Sequence, residues 1–198
     1  VKEVEVVGAK SREGKYVYDR ITKFEELALD YDLTIMPPTK YLLPAKETLL
    51  KFKVGAKPTL ESVVESRPRA IIGVHPYDIK AIELLDEAFM GTNPDPNYIA
   101  RRQNTIIIGV DCLNPSPKSF CPSMGTHQTE TGFDLMLTNV GTGYVVTVGS
   151  EKGAGLVAKY TRAREPSGDE IAKQKAVKDT ALTRYKLSLD VARERLPK

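Results

Sequence analysis

The chain has 198 residues, of which 41% are hydrophobic and 28% are charged, and its formal net charge is +3. This composition is typical of a globular domain, and the small charge, without basic runs interleaved with aromatic residues, argues against nucleic-acid binding. No apolar run of about 18 residues occurs, so the sequence predicts no membrane span. Two cysteines are too few for a disulfide scaffold and favour a reducing, cytoplasmic setting. The chain starts at Val1 rather than Met, which indicates a processed or partial chain.

The first half of the chain predicts a hairpin and a helix. Residues 3–8 and 15–21 are rich in β-branched and aromatic side chains and flank a polar loop, which predicts an antiparallel hairpin. Residues 23–31 predict a short helix. Residues 41–53 predict a helix entered at Pro44, with Leu49, Leu50 and Phe52 in the core. Residues 54–68 are then a connector.

The middle of the chain predicts a βαβ unit. Residues 70–74 and 105–110 are short apolar runs, as expected of strands buried on both faces. Apolar residues recur at helical spacing from Ile79 to about Met90, and Asp95 followed by proline predicts the start of a second short helix. Strand, two helices and strand of this length predict a right-handed crossover between parallel strands.

The last part of the chain predicts a second hairpin and two helices. Residues 132–138 and 143–149 alternate between apolar and polar side chains around a short turn. Residues 151–160 predict a helix that two glycines weaken. A capping-box pattern at residues 167–170 starts a long polar helix that runs to about Leu196. The predicted fold class is therefore α/β with α+β elements: a small mixed sheet with a βαβ crossover, flanking hairpins and a long C-terminal helix.

The two cysteines and the two histidines form the main candidate site. His75 and Asp78 follow the first buried strand, whereas Cys112 follows the second. Neighbouring parallel strands would bring these residues to one rim, where ligands bind in open α/β sheets. With Cys121 and His127, two thiolates and two imidazoles form a ligand set that suits tetrahedral zinc, although the spacing matches no known zinc motif.

Two other interpretations of the same residues remain open. Cys121 lies near His127 in sequence, as in a thiol nucleophile with its base, but no nucleophile signature matches. An iron–sulfur cluster usually takes four cysteines, and this chain has two. The residues can also be two partly buried thiols and two loop histidines without chemistry.

The sequence resembles the N-terminal domain of the iron–sulfur β subunits of soluble nickel–iron hydrogenases (sulfhydrogenases) and of the corresponding iron–sulfur subunits of anaerobic sulfite reductases. The matching stretches occur in the family's order, and they are residues 41–49 (YLLPAKETL), 73–82 (GVHPYDIKAI), 93–102 (NPDPNYIARR), 107–112 (IIGVDC), 120–126 (FCPSMGT) and 132–135 (GFDL).

The resemblance implies a non-catalytic subunit that transfers electrons in a cytoplasmic, multi-subunit oxidoreductase of anaerobic metabolism. Its partners would be the other subunits of that complex, one of them catalytic and another flavin-binding or ferredoxin-like. The family usually continues into a ferredoxin-like domain with two [4Fe-4S] clusters. Residues 1–165 would then be an α/β accessory domain, and residues 166–198 a polar helix leading to a partner or to that domain.

The resemblance also implies a cofactor site on the rim. Many members of the family have cysteines in place of Tyr77 and Ser119, which with Cys112 and Cys121 would make a four-cysteine site on the rim that also holds Asp78. Tyrosine and serine at two of the four positions put a cluster in this domain in doubt. The alternative function is a zinc-stabilised or metal-free interaction domain without redox chemistry.

Overall fold

A mixed β-sheet organises residues 4–189, which are the part of the chain that the computed structural model describes. The strands are β1 (Glu5–Arg12), β2 (Lys15–Arg20), β3 (Leu50–Lys53), β4 (Thr59–Ser62), β5 (Arg69–Val74), β6 (Thr105–Val110), β7 (Leu135–Asn139) and β8 (Tyr144–Val148). The helices are α1 (Pro76–Met90), α2 (Pro96–Gln103), α3 (Cys121–Met124), α4 (Glu151–Tyr160) and α5 (Gly168–Thr183), with short 3-10 helices at Phe24–Glu26 and Pro38–Tyr41.

Six of these strands form the main sheet, in the order β2-β1-β5-β6-β7-β8. The four inner strands are parallel, and β2 and β8 pair with them in antiparallel hairpins. The predicted α/β class, with a βαβ crossover and flanking hairpins, is confirmed. The crossover runs from β5 through α1 and α2 to β6. The two apolar strands are parallel neighbours, with Ile71 opposite Ile107.

The core lies where α1, α2 and the segment after Pro38 cover the inner strands. Ile79 and Ile82 of α1 are fully buried, and so is Tyr98 of α2. Burying one such aliphatic side chain contributes about 1.5–3 kcal/mol. Asp95 caps α2 as predicted, since its carboxylate accepts hydrogen bonds from two backbone amides of the first turn.

The predicted helix over residues 41–53 is wrong. Residues 50–53 form β3, which pairs only with β4 in a small separate hairpin among the described residues. Leu49, Leu50 and Phe52 are exposed rather than in the core, with 53%, 54% and 75% of their surface accessible. The physical reason is the alternation of Leu50 and Phe52 with lysines, a period of two that suits a strand and not a helix face.

Two further helix predictions need correction. The predicted helix at 23–31 is reduced to the three-residue 3-10 helix Phe24–Glu26. Helix α5 begins at the predicted capping box but ends at Thr183, not near Leu196. The Arg184 side chain donates a hydrogen bond to the carbonyl of Leu113, which holds the chain against the loop after β6. The remainder of the predicted helix, from residue 190, lies outside the described residues.

Helix α5 packs on the end of the main sheet. The Lys178 ammonium group lies 3.0 Å from the buried Asp111 carboxylate, and Gln174 donates a hydrogen bond to the Thr138 hydroxyl. The predicted boundary at residues 165–166 stays a prediction. Within residues 4–189, no helix combines the length and apolarity that crossing a membrane requires.

Candidate functional site

The candidate site lies at the carboxyl ends of β5 and β6. Because these strands are parallel neighbours, the residues that follow them meet at one edge of the sheet. The register shifts between Ile72 and Val74, where Gly73 adopts a φ of +84°, a conformation that favours glycine. This bulge lies at the end of β5, and His75 follows as the N-cap residue of α1.

His75 is a buried, neutral histidine. Its ring stacks on Tyr31 with 4.0 Å between centroids, and its Nδ1 lies 2.8 Å from the Tyr77 hydroxyl oxygen, within hydrogen-bond distance. Burial lowers the pKa of His75 to about 3, so the imidazole carries no charge at neutral pH. The contact with Tyr77 engages one ring nitrogen that a metal would otherwise use.

Two tyrosines from the N-terminal part of the chain, Tyr18 and Tyr31, lie behind His75. The hydroxyl oxygens of Tyr18 and Tyr31 are 2.7 Å apart, and both lie within hydrogen-bond distance of the Gly73 carbonyl. Burial raises the pKa of each phenol well above its ordinary value. The wall behind His75 is therefore aromatic and uncharged.

Both cysteines carry free thiols close to each other. Cys112 is buried, Cys121 is half-buried in the first turn of α3, and Tyr185 lies beside both sulfur atoms. Burial, followed by the neighbouring Cys121, raises the pKa of Cys112 to about 12, and burial also raises the pKa of Cys121. Since metals and electrophiles react with the thiolate, this environment keeps both sulfurs in their less reactive form.

Tyr77 and Ser119 lie on the same edge as the cysteines. Both line, with Cys121, a cavity of about 270 Å³ whose other walls are mainly apolar. Asp78, which follows Tyr77, is buried, and this burial raises the pKa of its carboxyl to about 7. The structure thus gathers Cys121, Tyr77 and Ser119 around one cavity, with Cys112 beside Cys121.

These residues do not fit a four-thiolate cluster. The gathered side chains offer two protonated thiols, a serine hydroxyl, and a tyrosine hydroxyl already in contact with His75. A [4Fe-4S] cluster is normally held by four thiolates. The contact of Tyr185 with both sulfurs fills part of the space between them.

The zinc ligand set is not brought together around a single point either. His127 and Cys112 line a small cavity of about 50 Å³ with Tyr185, and the buried Nδ1 of His127 has no hydrogen-bond partner in the part of the chain that the structure describes. Across residues 4–189, no group of three or more His, Cys, Asp or Glu side chains is arranged to hold a metal ion. The assignments of His75, His127 and the two cysteines as metal ligands stay predictions.

Sequence reasoning missed Tyr185, which contacts both thiols. The segment that follows α5 crosses the cysteine loop: Arg184 bonds to the Leu113 carbonyl, and the Leu189 amide donates to the Ser123 hydroxyl across 3.0 Å. Tyr185 belonged to a predicted helix, and no local pattern indicates that the chain turns onto the loop. We call residues 184–189 the crossing segment.

The fold and the site define an α/β domain whose cysteines, tyrosines and neutral histidine meet at the carboxyl edge of a mixed sheet. The chain is similar to sulfhydrogenase 2 subunit beta of Pyrococcus furiosus, with 35% identity over 154 residues. The match covers 77% of this chain and 45% of that protein, so the chain spans less than half the length of its relative. The resemblance to hydrogenase β subunits is confirmed.

No family model matches the chain, and no solved structure matches it.

Proposed function

We propose that the chain is an accessory domain of a cytoplasmic, multi-subunit oxidoreductase of the hydrogenase type. The observation that carries the proposal is the 35% identity to a sulfhydrogenase β subunit over 77% of the chain. In this role the domain is non-catalytic. It supports electron transfer by holding subunits or domains together, and its partners are the catalytic and the flavin-binding or ferredoxin-like subunits of the complex.

The proposal assigns the redox cofactors to another segment or to a partner chain. A bound [4Fe-4S] cluster supplies one-electron transfer, and two protonated thiols beside a tyrosine do not hold one in this domain. What this chain's own residues do is structural. His75 and Tyr31 stack, Tyr77 contacts the imidazole, and the crossing segment covers the thiols.

The test is anaerobic purification of the native complex through an affinity tag on this chain. We expect co-purifying subunits that contain iron or flavin, with broad visible absorption from those subunits. The isolated chain, prepared alone under the same conditions, should be colourless. A chain that purifies without any iron- or flavin-containing partner would contradict the proposed function.

A second candidate function is a zinc-stabilised interaction domain without redox chemistry. The observation that favours it is the buried Nδ1 of His127, which lines the same small cavity as Cys112 and has no hydrogen-bond partner within residues 4–189. One zinc per isolated chain, lost in a His127→Ala variant, would support this alternative. A Cys121-dependent enzyme is disfavoured because burial raises the pKa of that thiol, whereas nucleophilic thiols have lowered pKa values.

A further inference from the structure

The β3–β4 hairpin projects from the domain with an apolar face that has no partner among residues 4–189. Every residue from 45 to 62 is exposed, although this range includes several large apolar side chains. Phe52 and Leu60 are directly opposite each other on one face, with 75% and 69% of their surface accessible. We call residues 49–62 the arm. A two-stranded hairpin alone is marginally stable in water, so we expect another protein surface to cover the apolar face of the arm.

The base of the arm is fixed to the domain. Arg101 is largely buried in α2, and its guanidinium group lies 2.6 Å from the Glu47 carboxylate and donates a second bond to the Leu42 carbonyl. Within the hairpin itself, the Val63 amide donates a hydrogen bond to the Leu49 carbonyl, which closes the base of the arm. These bonds hold the arm in a defined position, which lowers the entropy that a partner must remove on binding.

The opposite face of the arm is basic. Lys51 and Lys53 lie on that face and Lys57 lies in the turn, whereas Glu61, opposite Lys51, is the one carboxylate in the arm. Within residues 4–189, none of the three lysines forms an ion pair. The arm therefore matches a cleft with one apolar wall and one carboxylate-rich wall, into which a two-stranded sheet can insert.

We propose that the arm inserts into an acidic, apolar-floored cleft on a redox subunit of the same complex. This inference rests on the proposed function, because it takes the partner to be one of the iron- or flavin-containing subunits. A second copy of this chain is a poor occupant, since its own arm would bring three further lysines to the contact. A membrane is also a poor occupant, because a hairpin that enters a bilayer by its tip needs bulky apolar side chains in the turn. Here the turn has Gly55, Ala56 and Pro58, and the bulky side chains lie on the face of the strands.

The test compares native complexes purified through a tag on this chain. The arm variant is Phe52→Ser with Leu60→Ser. The matched control is Phe24→Ser with Leu84→Ser, which removes one phenylalanine and one leucine of similar exposure, 78% and 67%, from elsewhere on the surface. Because all four side chains are exposed, each variant should keep the wild-type circular dichroism spectrum and unfolding midpoint.

We expect the arm variant to recover roughly tenfold less redox subunit per chain than wild type, because truncating central apolar contacts typically costs that much affinity. The control should recover the wild-type amount. Carbodiimide treatment of the wild-type complex should link the arm lysines to aspartates or glutamates of the redox subunit. Charge reversal at Lys51 and Lys53 should also weaken association, most strongly at low salt.

Three outcomes would overturn the inference alone: undiminished recovery with the arm variant, cross-links that join arm lysines to a second copy of this chain, or arm-dependent binding to phosphatidylserine vesicles. In each of these the wild-type complex still contains iron or flavin, and the proposed function stands. If the wild-type chain recovers no redox subunit, both the proposed function and this inference fail.

Discussion

The protonated state of the cysteines has a direct kinetic consequence that a thiol-specific reagent can measure. In a Cys121→Ser background the chain has one thiol, Cys112. Burial, the main cause of its raised pKa of about 12 in the wild-type chain, persists in this variant, and only the smaller contribution of Cys121 is lost. At pH 8 an ordinary thiol with a pKa near 8.5 is roughly one quarter thiolate, whereas a pKa of about 12 leaves roughly one part in ten thousand. The reactive fraction is therefore roughly two-thousandfold smaller in the folded chain.

The greater basicity of such a thiolate offsets part of this difference. With a Brønsted coefficient of about 0.45, the intrinsic rate rises roughly fortyfold. The net expectation is that folded Cys112 reacts with a small aromatic disulfide about fiftyfold more slowly than the same chain in guanidinium chloride. Steric cover by Tyr185 adds to this protection.

The assay follows release of the aromatic thiol under pseudo-first-order conditions, after metal analysis has shown the sample to be free of iron and zinc. A Tyr185→Ala variant should react several-fold faster, and Tyr160→Ala, a change at an exposed tyrosine at the end of α4, should not. Folded and denatured rates within fivefold of each other would refute the reasoning.

Three further predictions concern stability. The pKa of Asp78 is raised to about 7, so its contribution to stability is lost as the pH rises from about 4 to 7. The pKa of His75 is lowered to about 3, so the folded state loses stability as the pH falls below about 6.5. In the wild-type chain these two effects oppose each other on acidification, and Asp78→Asn leaves only that of His75. The variant should therefore lose stability from pH 6.5 to 4, by up to about 1.4 kcal/mol per pH unit in urea titrations, and a pH profile parallel to that of wild type would contradict this prediction. Gly155→Ala should raise the unfolding free energy by about 1 kcal/mol, while Gly153→Ala should lower it, because its Cβ would clash with the backbone oxygen of Asp134; equal effects in thermal melts would contradict the packing of α4. Asp95→Ala should cost about 1 kcal/mol by removing the α2 cap, and Asp95→Asn should restore most of it, which chemical denaturation can measure.

The βαβ unit could be predicted because its local patterns agree with its tertiary environment. The apolar runs of β5 and β6 are too short for helices and are buried as expected, and Asp95 followed by proline starts a helix in most contexts. The arm could not be predicted in the same way. The alternation from Leu50 to Lys53 covers only four residues, and large apolar side chains such as Leu49, Leu50 and Phe52 usually lie in a core.

The candidate site was predictable in outline only. Strand ends gave the positions of His75 and Cys112, because the edge of a parallel sheet is a general feature of the fold. The contacts that decide the chemistry come from residues far away in sequence: Tyr31 stacks on His75, and Tyr185 lies beside the thiols. Such contacts depend on the path of loops and of the crossing segment, for which a single sequence has no periodic pattern.

The position of the arm within the chain also bears on how this domain can diversify. The arm lies in the connection between β2 and β5, and no arm residue takes part in the pairing of β1 with β5. Doubling a flexible loop costs only about 0.6 kcal/mol of closure entropy. The arm can therefore be lengthened, shortened or exchanged without disturbing the register of the main sheet. Related chains that share the sheet can in this way differ in the partner they recognise.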